Sequence, residues 1–194
     1  TWIFGEGFHF TLAEVGLTKV MKRVSEELAL KWRKGAKAKK PDGTAGRVDS
    51  FMGRVVPYAD AQHREFLLIE LKRPSLKVGR KELDQLEDYV TAITTQPDFL
   101  NTSTHWNFFL VTSEYDELVK ERVTQTDRPV GLFIDKPNYK VWIKSWADLT
   151  RECEGRLTFV QDKLQIEVTD DEISEKIAHL KSSILKVRAD SEGA

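Results

Sequence analysis

The chain has 194 residues, of which 40% are hydrophobic and 31% charged, and this balance suits one globular domain with a substantial core. No apolar run approaches the length that crosses a membrane, and the single cysteine excludes an internal disulfide and a cysteine-ligated structural zinc site. The net charge of −1 does not by itself indicate a nucleic-acid partner, and a lone cysteine fits a cytoplasmic protein with no membrane partner.

Hydrophobic periodicity predicts four elements in the first half of the chain. A helix is predicted over residues 14–33 from apolar residues at helical spacing, namely Leu17, Val20, Met21, Val24 and Leu28. A basic, turn-rich segment follows, and strands are predicted over 47–58 and 64–72. A second helix is predicted over 80–94, with an apolar stripe formed by Leu83, Leu86, Val90 and Ile93.

The second half is predicted as a strand, a helix, a hairpin and three helices, over residues 106–112, 115–123, 130–134 with 139–143, 146–153, 156–164 and 170–187. This order favours a mixed α/β domain over residues 1–145 and a C-terminal helical extension over 146–194. Apolar residues of the last helix are spaced four, three, four, three along the chain. That seam suits docking on the parent domain and homo-oligomerisation equally well.

The tripeptide Glu70-Leu71-Lys72 places charge where the pattern predicts burial. Residues two apart in a strand share a face, so Glu70 and Lys72 lie on the same side as Phe66 and Leu68. Burying charged groups is costly unless they are paired or bound to an ion. Asp49 supplies a second carboxylate on the neighbouring strand. Two carboxylates and a lysine at one end of a hairpin could hold a hard divalent cation and organise phosphodiester hydrolysis.

Simpler interpretations compete with this one. Glu70 and Lys72 could form a salt bridge on an exposed face, although that explains poorly why Phe66 and Leu68 share the face. Asp42 is a rival carboxylate, but its setting between a proline and a glycine is typical of a turn, which we favour.

Three segments taken together resemble the PD-(D/E)xK nuclease superfamily. The segment Gly46-Arg47-Val48-Asp49 is similar to its GxxD element, and Glu70-Leu71-Lys72 to its ExK element. The segment Gln85-Leu86-Glu87-Asp88-Tyr89 is similar to the QxxxY element of its RecB-like and Cas4-like branches. The resemblance covers residues 17–111, about half of the chain, and the ordered set is far more specific than a lone ExK triplet. The sequence also resembles Shedu-like defence nucleases and nuclease domains fused to GHKL-type ATPases.

The resemblance implies a restriction-endonuclease-like core, with a mixed sheet, helices on both of its faces and the C-terminal helical extension added. In the superfamily, a strand lies between the first helix and the Asp-bearing strand. Residues 35–45 are basic and turn-rich here and give no good strand. Either that strand is short, or residues 3–10 supply it, or the topology departs locally.

The resemblance also implies a role for the matching residues. Asp49, Glu70 and the Leu71 carbonyl would bind Mg²⁺ or Mn²⁺, which polarises the phosphate and lowers the pKa of an attacking water. Lys72 would stabilise the transition state or help to activate that water.

Supporting roles are implied for residues on the two predicted helices. Gln85 and Tyr89 flank the apolar stripe of the helix over 80–94, where ordinary packing and a role in the site are equally good interpretations. Glu27 borders the stripe of the first helix and is the candidate for an extra acid that many family members carry there. A solvated glutamate is the commoner case.

Basic residues beside the presumed site are predicted to contact nucleic acid, and they are Arg73, Lys77, Arg80 and Lys81. The basic segment 31–40 could do the same, but a charge run is more often a solvated, mobile loop.

The residues and the resemblance together predict a metal-dependent nuclease, an endonuclease with DNA favoured over RNA. The resemblance to Shedu-like nucleases implies that it serves as the nuclease module of a bacterial anti-phage defence protein. The chain begins with sequence of folded type, which is compatible with an upstream ATPase or sensor domain in a longer protein. The alternative is a non-catalytic module that uses the scaffold to bind nucleic acid or to assemble a larger complex. The carboxylates and the lysine argue against it, because a pure binder has no need of them.

Overall fold

The computed structural model describes residues 4, 7–56, 63–96 and 104–164. The chain divides into two compact units, Thr1–Cys153 and Glu154–Ala194. The helix predicted over 170–187, with its docking or assembly role, lies outside the described residues.

Eight strands and four helices are described, in the order β1 (Phe10–Gly16), α1 (Leu17–Glu27), β2 (Arg47–Val55), β3 (Arg64–Leu71), β4 (Lys77–Val78), α2 (Arg80–Thr94), β5 (Thr104–Thr112), β6 (Glu114–Tyr115), α3 (Glu117–Val123), β7 (Leu132–Lys136), β8 (Tyr139–Ser145) and α4 (Trp146–Leu164). The fold is mixed α/β, as predicted. None of the four helices is both long and apolar enough to traverse a bilayer.

Six of the strands form one mixed sheet in the order β1-β2-β3-β5-β8-β7, and β4 pairs with β6 apart from it. β2 lies antiparallel to both of its neighbours, β1 and β3, whereas β5 lies parallel to β3 and β8 parallel to β5. The crossover from β3 to β5 runs through α2, because a parallel connection needs a return segment of this length. This crossover brings α2 past the C-terminal end of β3.

The two faces of the sheet bury different side chains. Phe66 and Leu68 of β3 pack in the larger core, together with apolar residues of α1, α2 and α3. Leu67 and Ile69, which alternate with them, pack on the other face with Leu149 from the first turns of α4. Helices therefore cover both faces, and the alternation predicted for β3 is confirmed.

The first helix is shorter than predicted over 14–33. Residues 14–16 belong to β1, the strand that pairs with β2. At the other end, Ala29 has a φ of 54°, and the Leu30 N–H donates to the Ser25 carbonyl at 2.8 Å. That pair of features ends many helices, usually with glycine at the left-handed position. An alanine there gives no stop signal in the sequence.

The strand missing from the prediction is β1, which precedes the first helix. Residues 28–46 are all described and contain no strand. β1 pairs antiparallel with β2, with Phe10 opposite Gly53 and Val15 opposite Val48. The N-terminal alternative is thus the nearest of the three, and the strand begins at Phe10, the last residue of the predicted range 3–10.

Two predicted helices, over 146–153 and 156–164, are one continuous helix in α4. Gly155 lies between them, and a Cβ at that position would meet no atom within 4 Å. A glycine inside a helix costs about 1 kcal/mol relative to alanine, which weakens a helix without breaking it.

Candidate active site

The start of β2 and the end of β3 bring the two predicted carboxylates together. Ser50 pairs with Ile69 in the antiparallel register, so the next residues along, Asp49 and Glu70, lie opposite each other. Directly opposite residues of such a pair project from one face of the sheet. The Leu71 N–H donates to Asp49 Oδ2 at 2.6 Å, which holds the Asp49 carboxylate at the end of β3.

A chain of hydrogen bonds joins the end of β3 to α2. Lys72 Nζ donates to Glu70 Oε1 at 3.0 Å and to Gln85 Oε1 at 2.9 Å. Gln85 Nε2 in turn donates to Glu70 Oε1 at 3.3 Å and to the Tyr89 hydroxyl oxygen at 3.0 Å. The amide orientation is self-consistent, because its oxygen faces an ammonium and its nitrogen faces two acceptors. Gln85 thereby fixes the lysine, the glutamate and the tyrosine relative to each other.

Glu70 and Lys72 are buried, so their salt bridge does not lie on an exposed face. Glu70 is 8% exposed, and the side chains of both Glu70 and Lys72 are 10% exposed. A surface salt bridge would leave both groups in water at little cost. A largely buried ion pair costs desolvation energy that the attraction between the two charges only partly offsets. The buried pair therefore contributes less to stability than its short distance suggests.

Close contacts explain why the GxxD segment has a glycine, and no larger residue, at its first position. A Cβ on Gly46 would come within 2.4 Å of Leu17 Cδ1 and 2.9 Å of Tyr89 Cε1. The Leu17 N–H donates to the Gly46 carbonyl at 2.9 Å, so α1 begins against this residue. Burial raises the pKa of the Tyr89 phenol, and a hydrogen bond with the Arg47 backbone opposes that rise. The entry to β2 is thus packed directly on the tyrosine of the QxxxY segment.

The Glu70 carboxylate is buried and has partners on only one of its two oxygens. Burial raises the pKa of Glu70 above its ordinary value of 4.5, the Lys72 charge and hydrogen bond lower it, and the Asp49 charge raises it. Both hydrogen bonds to the carboxylate reach Oε1, while Oε2 is buried and has no hydrogen-bond partner among the described residues. A buried, unsatisfied anionic oxygen beside a second carboxylate fits a divalent cation with oxygen ligands.

The raised pKa of Glu70 predicts a pH-dependent stability. The folded protein binds the Glu70 proton more tightly than the unfolded chain does, so this contribution is present below about pH 4.5 and is lost as the pH rises through the folded pKa. In chelator, the melting temperature of the parent minus that of Glu70→Gln should fall by a few degrees as the pH rises from 4.5. Thermal unfolding followed by circular dichroism measures it. A difference that does not change with pH would contradict the described environment.

The other predicted site residue does not reach this cluster. Glu27 Oε2 accepts from His9 Nε2 at 2.9 Å, and Glu27 Oε1 lies 2.5 Å from an Arg23 guanidinium nitrogen. Leu17, at the start of α1, lies beside the site, whereas Glu27 follows ten residues later, roughly 15 Å along the helix axis. The structure thus brings five of the six predicted catalytic residues together and leaves Glu27 in an ion-pair cluster elsewhere.

The residues predicted to contact nucleic acid are all exposed, namely Arg73, Lys77, Arg80 and Lys81. Arg80 is paired with Asp84 on α2 at 2.9 Å. Lys81 precedes Gln85 by four residues on the same helix, so the two lie one turn apart on one side of it. Arg73 directly follows Lys72 in the chain, so it also lies beside the cluster.

One residue beside the cluster was not singled out in the sequence. Lys40 lies in a turn that closes at Thr44, two residues before Gly46, which packs on Tyr89. Burial raises the pKa of the Tyr89 hydroxyl, and the Lys40 charge opposes that rise. The only signal in the sequence was the membership of Lys40 in the basic segment 31–40, which six basic residues share equally.

Among the described residues, no three side chains of His, Cys, Asp or Glu gather as ligands for a metal ion. The predicted ligand set needs only two carboxylates, because its third member is the Leu71 carbonyl. Comparisons with protein-family models, with curated proteins and with solved structures found no match for the chain. The superfamily resemblance therefore rests on the sequence segments, and it stays a prediction.

Proposed function

We propose that the chain is a metal-dependent nuclease domain with a restriction-endonuclease-like fold. The observation that carries the proposal is the Glu70 carboxylate, which is 8% exposed, fixed through Oε1 and unsatisfied at Oε2. Asp49 lies opposite it in the sheet register. In a structural ion pair, both carboxylate oxygens would be expected to have hydrogen-bond partners. A carboxylate that binds a metal ion instead leaves one oxygen without a hydrogen bond for the ion.

The ligands for Mg²⁺ or Mn²⁺ in this proposal are Asp49, Glu70 and the Leu71 carbonyl. When bound, the cation supplies Lewis acidity to a phosphate oxygen and lowers the pKa of a water. Asp49 is already held by the Leu71 N–H at 2.6 Å, so its carboxylate needs little reordering to bind. The burial of Glu70 restricts the approach of bulk water to its oxygens, which strengthens electrostatic interactions there.

Lys72 neutralises charge on the phosphoryl oxygens during the reaction. Its ammonium has three N–H donors, of which Glu70 and Gln85 occupy two. The third is available to a phosphate oxygen. Gln85 and Tyr89 are positioning residues, because they reach the reacting groups only through Lys72 and Glu70.

The substrate in this proposal is nucleic acid, with DNA favoured. The exposed residues Arg73, Lys77, Arg80 and Lys81 supply sequence-independent phosphate contacts. The biological role we propose is that of the nuclease module in a bacterial anti-phage defence protein, where an ATPase or sensor domain would control it.

Cleavage assays on defined substrates test the proposal. Circular and linear, single-stranded and double-stranded DNA and RNA are incubated with the protein in Mg²⁺, in Mn²⁺ and in chelator. We expect cleavage of circular DNA that requires the metal. Cleavage that survives chelator would overturn the mechanism, and intact circles beside degraded linear substrate would overturn endonuclease action. Binding without any cleavage would identify the non-catalytic module instead.

A further inference from the structure

The loop between α1 and β2 is tied to the domain at its second half. Ala38 is 2% exposed, and its N–H donates to Thr18 Oγ1 at 3.2 Å, which anchors the loop on the first turn of α1. The Lys40 N–H donates to the Thr44 carbonyl at 3.0 Å, and the Gly43 N–H donates to the Lys40 carbonyl at 2.9 Å. These bonds close a tight turn that leads into β2, so Lys40 has a fixed backbone position.

Lys40 also differs from the other basic residues of the loop in burial. Its side chain is 20% exposed, whereas the remaining five are exposed, namely Lys31, Arg33, Lys34, Lys37 and Lys39. Its turn closes at Thr44, two residues before Gly46, where a Cβ would lie 2.9 Å from Tyr89 Cε1. Burial raises the pKa of the Tyr89 hydroxyl, and the Lys40 charge opposes that rise. That hydroxyl ends the hydrogen-bond chain that begins at Lys72. The backbone of Lys40 is therefore held near the Tyr89 end of that chain, and Lys72 lies at its other end.

The ion pair of Lys40 is weak enough to exchange. Its Nζ lies 3.4 Å from Asp42 Oδ2, and the Asp42 side chain is 51% exposed. An ion pair with one partner this exposed is screened by water and contributes little to stability. The other oxygen of Asp42 is engaged by the Thr44 N–H at 2.8 Å and the Thr44 hydroxyl at 2.6 Å, which confirms Asp42 as a turn residue. A phosphate could replace Asp42 as the partner of Lys40 at little cost.

We propose that Lys40 is a nucleic-acid-binding residue of this site, contacting a backbone phosphate next to the one that is cut. The inference rests on the proposed function, and it adds a contact from the α1–β2 loop to those from α2. Lys72 serves the reacting phosphate at the Glu70 end of the chain. Lys40, held by its turn at the Tyr89 end, binds the neighbouring phosphate and fixes the position of the nucleic-acid strand along the site.

Equilibrium binding tests the proposal independently of cleavage. The full chain is titrated against a fluorescent DNA oligonucleotide in chelator, with anisotropy recorded over a series of salt concentrations. Lys40→Ala should weaken binding by roughly 5- to 10-fold and reduce the slope of log affinity against log salt by about one. Lys40→Arg, which keeps the charge, should bind within about 2-fold of the parent.

Lys39→Ala is the matched control, because it removes the same charge from the adjacent, exposed position. Equal losses for Lys39→Ala and Lys40→Ala would overturn the assignment of Lys40, even if the parent cuts DNA. A parent that binds but does not cut would refute the nuclease proposal and leave this comparison decisive. A parent that neither binds nor cuts would overturn both. Melting temperatures of the variants confirm that each one is folded.

Discussion

Glu70→Gln is expected to reduce cleavage by at least about 10³-fold, on the scale of losing one preorganised charge-stabilising group. The amide keeps the shape of the side chain and can still accept from Lys72, but it lacks the anionic oxygen that a divalent cation requires. Asp49→Asn should have an effect of the same order, because the two carboxylates lie opposite each other in the β2–β3 register. Single-turnover cleavage of circular DNA in Mg²⁺ measures both.

The fold should survive these substitutions. Burial is the largest influence on the Glu70 pKa and opposes its charged form, so a neutral amide removes a desolvation cost. Glu87→Gln is the matched control, since it removes a carboxylate from an exposed position of α2. We expect it to cut as the parent does. If Glu70→Gln cut as well as Glu87→Gln, the buried carboxylate would have no part in the reaction.

Metal titration separates the ligand role of Glu70 from a general loss of activity. A ligand that binds only the folded state stabilises it by about 2.7 kcal/mol at a concentration 100 times its dissociation constant. The parent should therefore show heat of binding and a higher melting temperature in Mg²⁺ or Mn²⁺, and Glu70→Gln should show neither.

Elements of this fold that carry local sequence signals could be predicted, whereas an element that depends on long-range pairing could not. α2 begins at Arg80 and ends at Thr94 as predicted, because its apolar stripe coincides with a start at which Glu82 accepts from the Gly79 N–H at 3.0 Å. β1 could not be recognised in the same way. Its residues carry a mixed pattern, and it exists because β2 offers a free edge for pairing.

The same division applies to the candidate site. Strand alternation alone placed Glu70 and Lys72 on the buried face of β3. The spacing of Gln85 and Tyr89 left packing and function equally favoured, because a sequence does not show which groups lie across from a helix. The crossover through α2 brings Gln85 within hydrogen-bond distance of Lys72, a contact that the spacing alone does not show. The position of Lys40 depends on the anchoring of Ala38 on α1, a contact between residues 20 apart in sequence.

Lys72→Met is expected to lower cleavage by about 10²- to 10³-fold, as removal of one preorganised donor does. The substitution keeps an unbranched side chain but removes the charge. It also removes the Lys72 effects that hold down the pKa of Glu70, so that pKa should rise further and metal binding should demand a higher pH. Lys120→Met, an exposed lysine of α3, removes the same charge away from the cluster and should leave cleavage unchanged.

Lys72→Arg distinguishes the two roles that this lysine could have. Both groups bound by Lys72 Nζ are acceptors, Glu70 Oε1 and Gln85 Oε1, which favours the protonated ammonium and a charge-stabilising role. Arginine keeps that charge but cannot act as a base near neutral pH. We therefore expect Lys72→Arg to cut faster than Lys72→Met and to follow the parent's pH profile. An arginine variant as slow as Lys72→Met, with a basic limb of the profile lost, would show that Lys72 removes the proton from the attacking water.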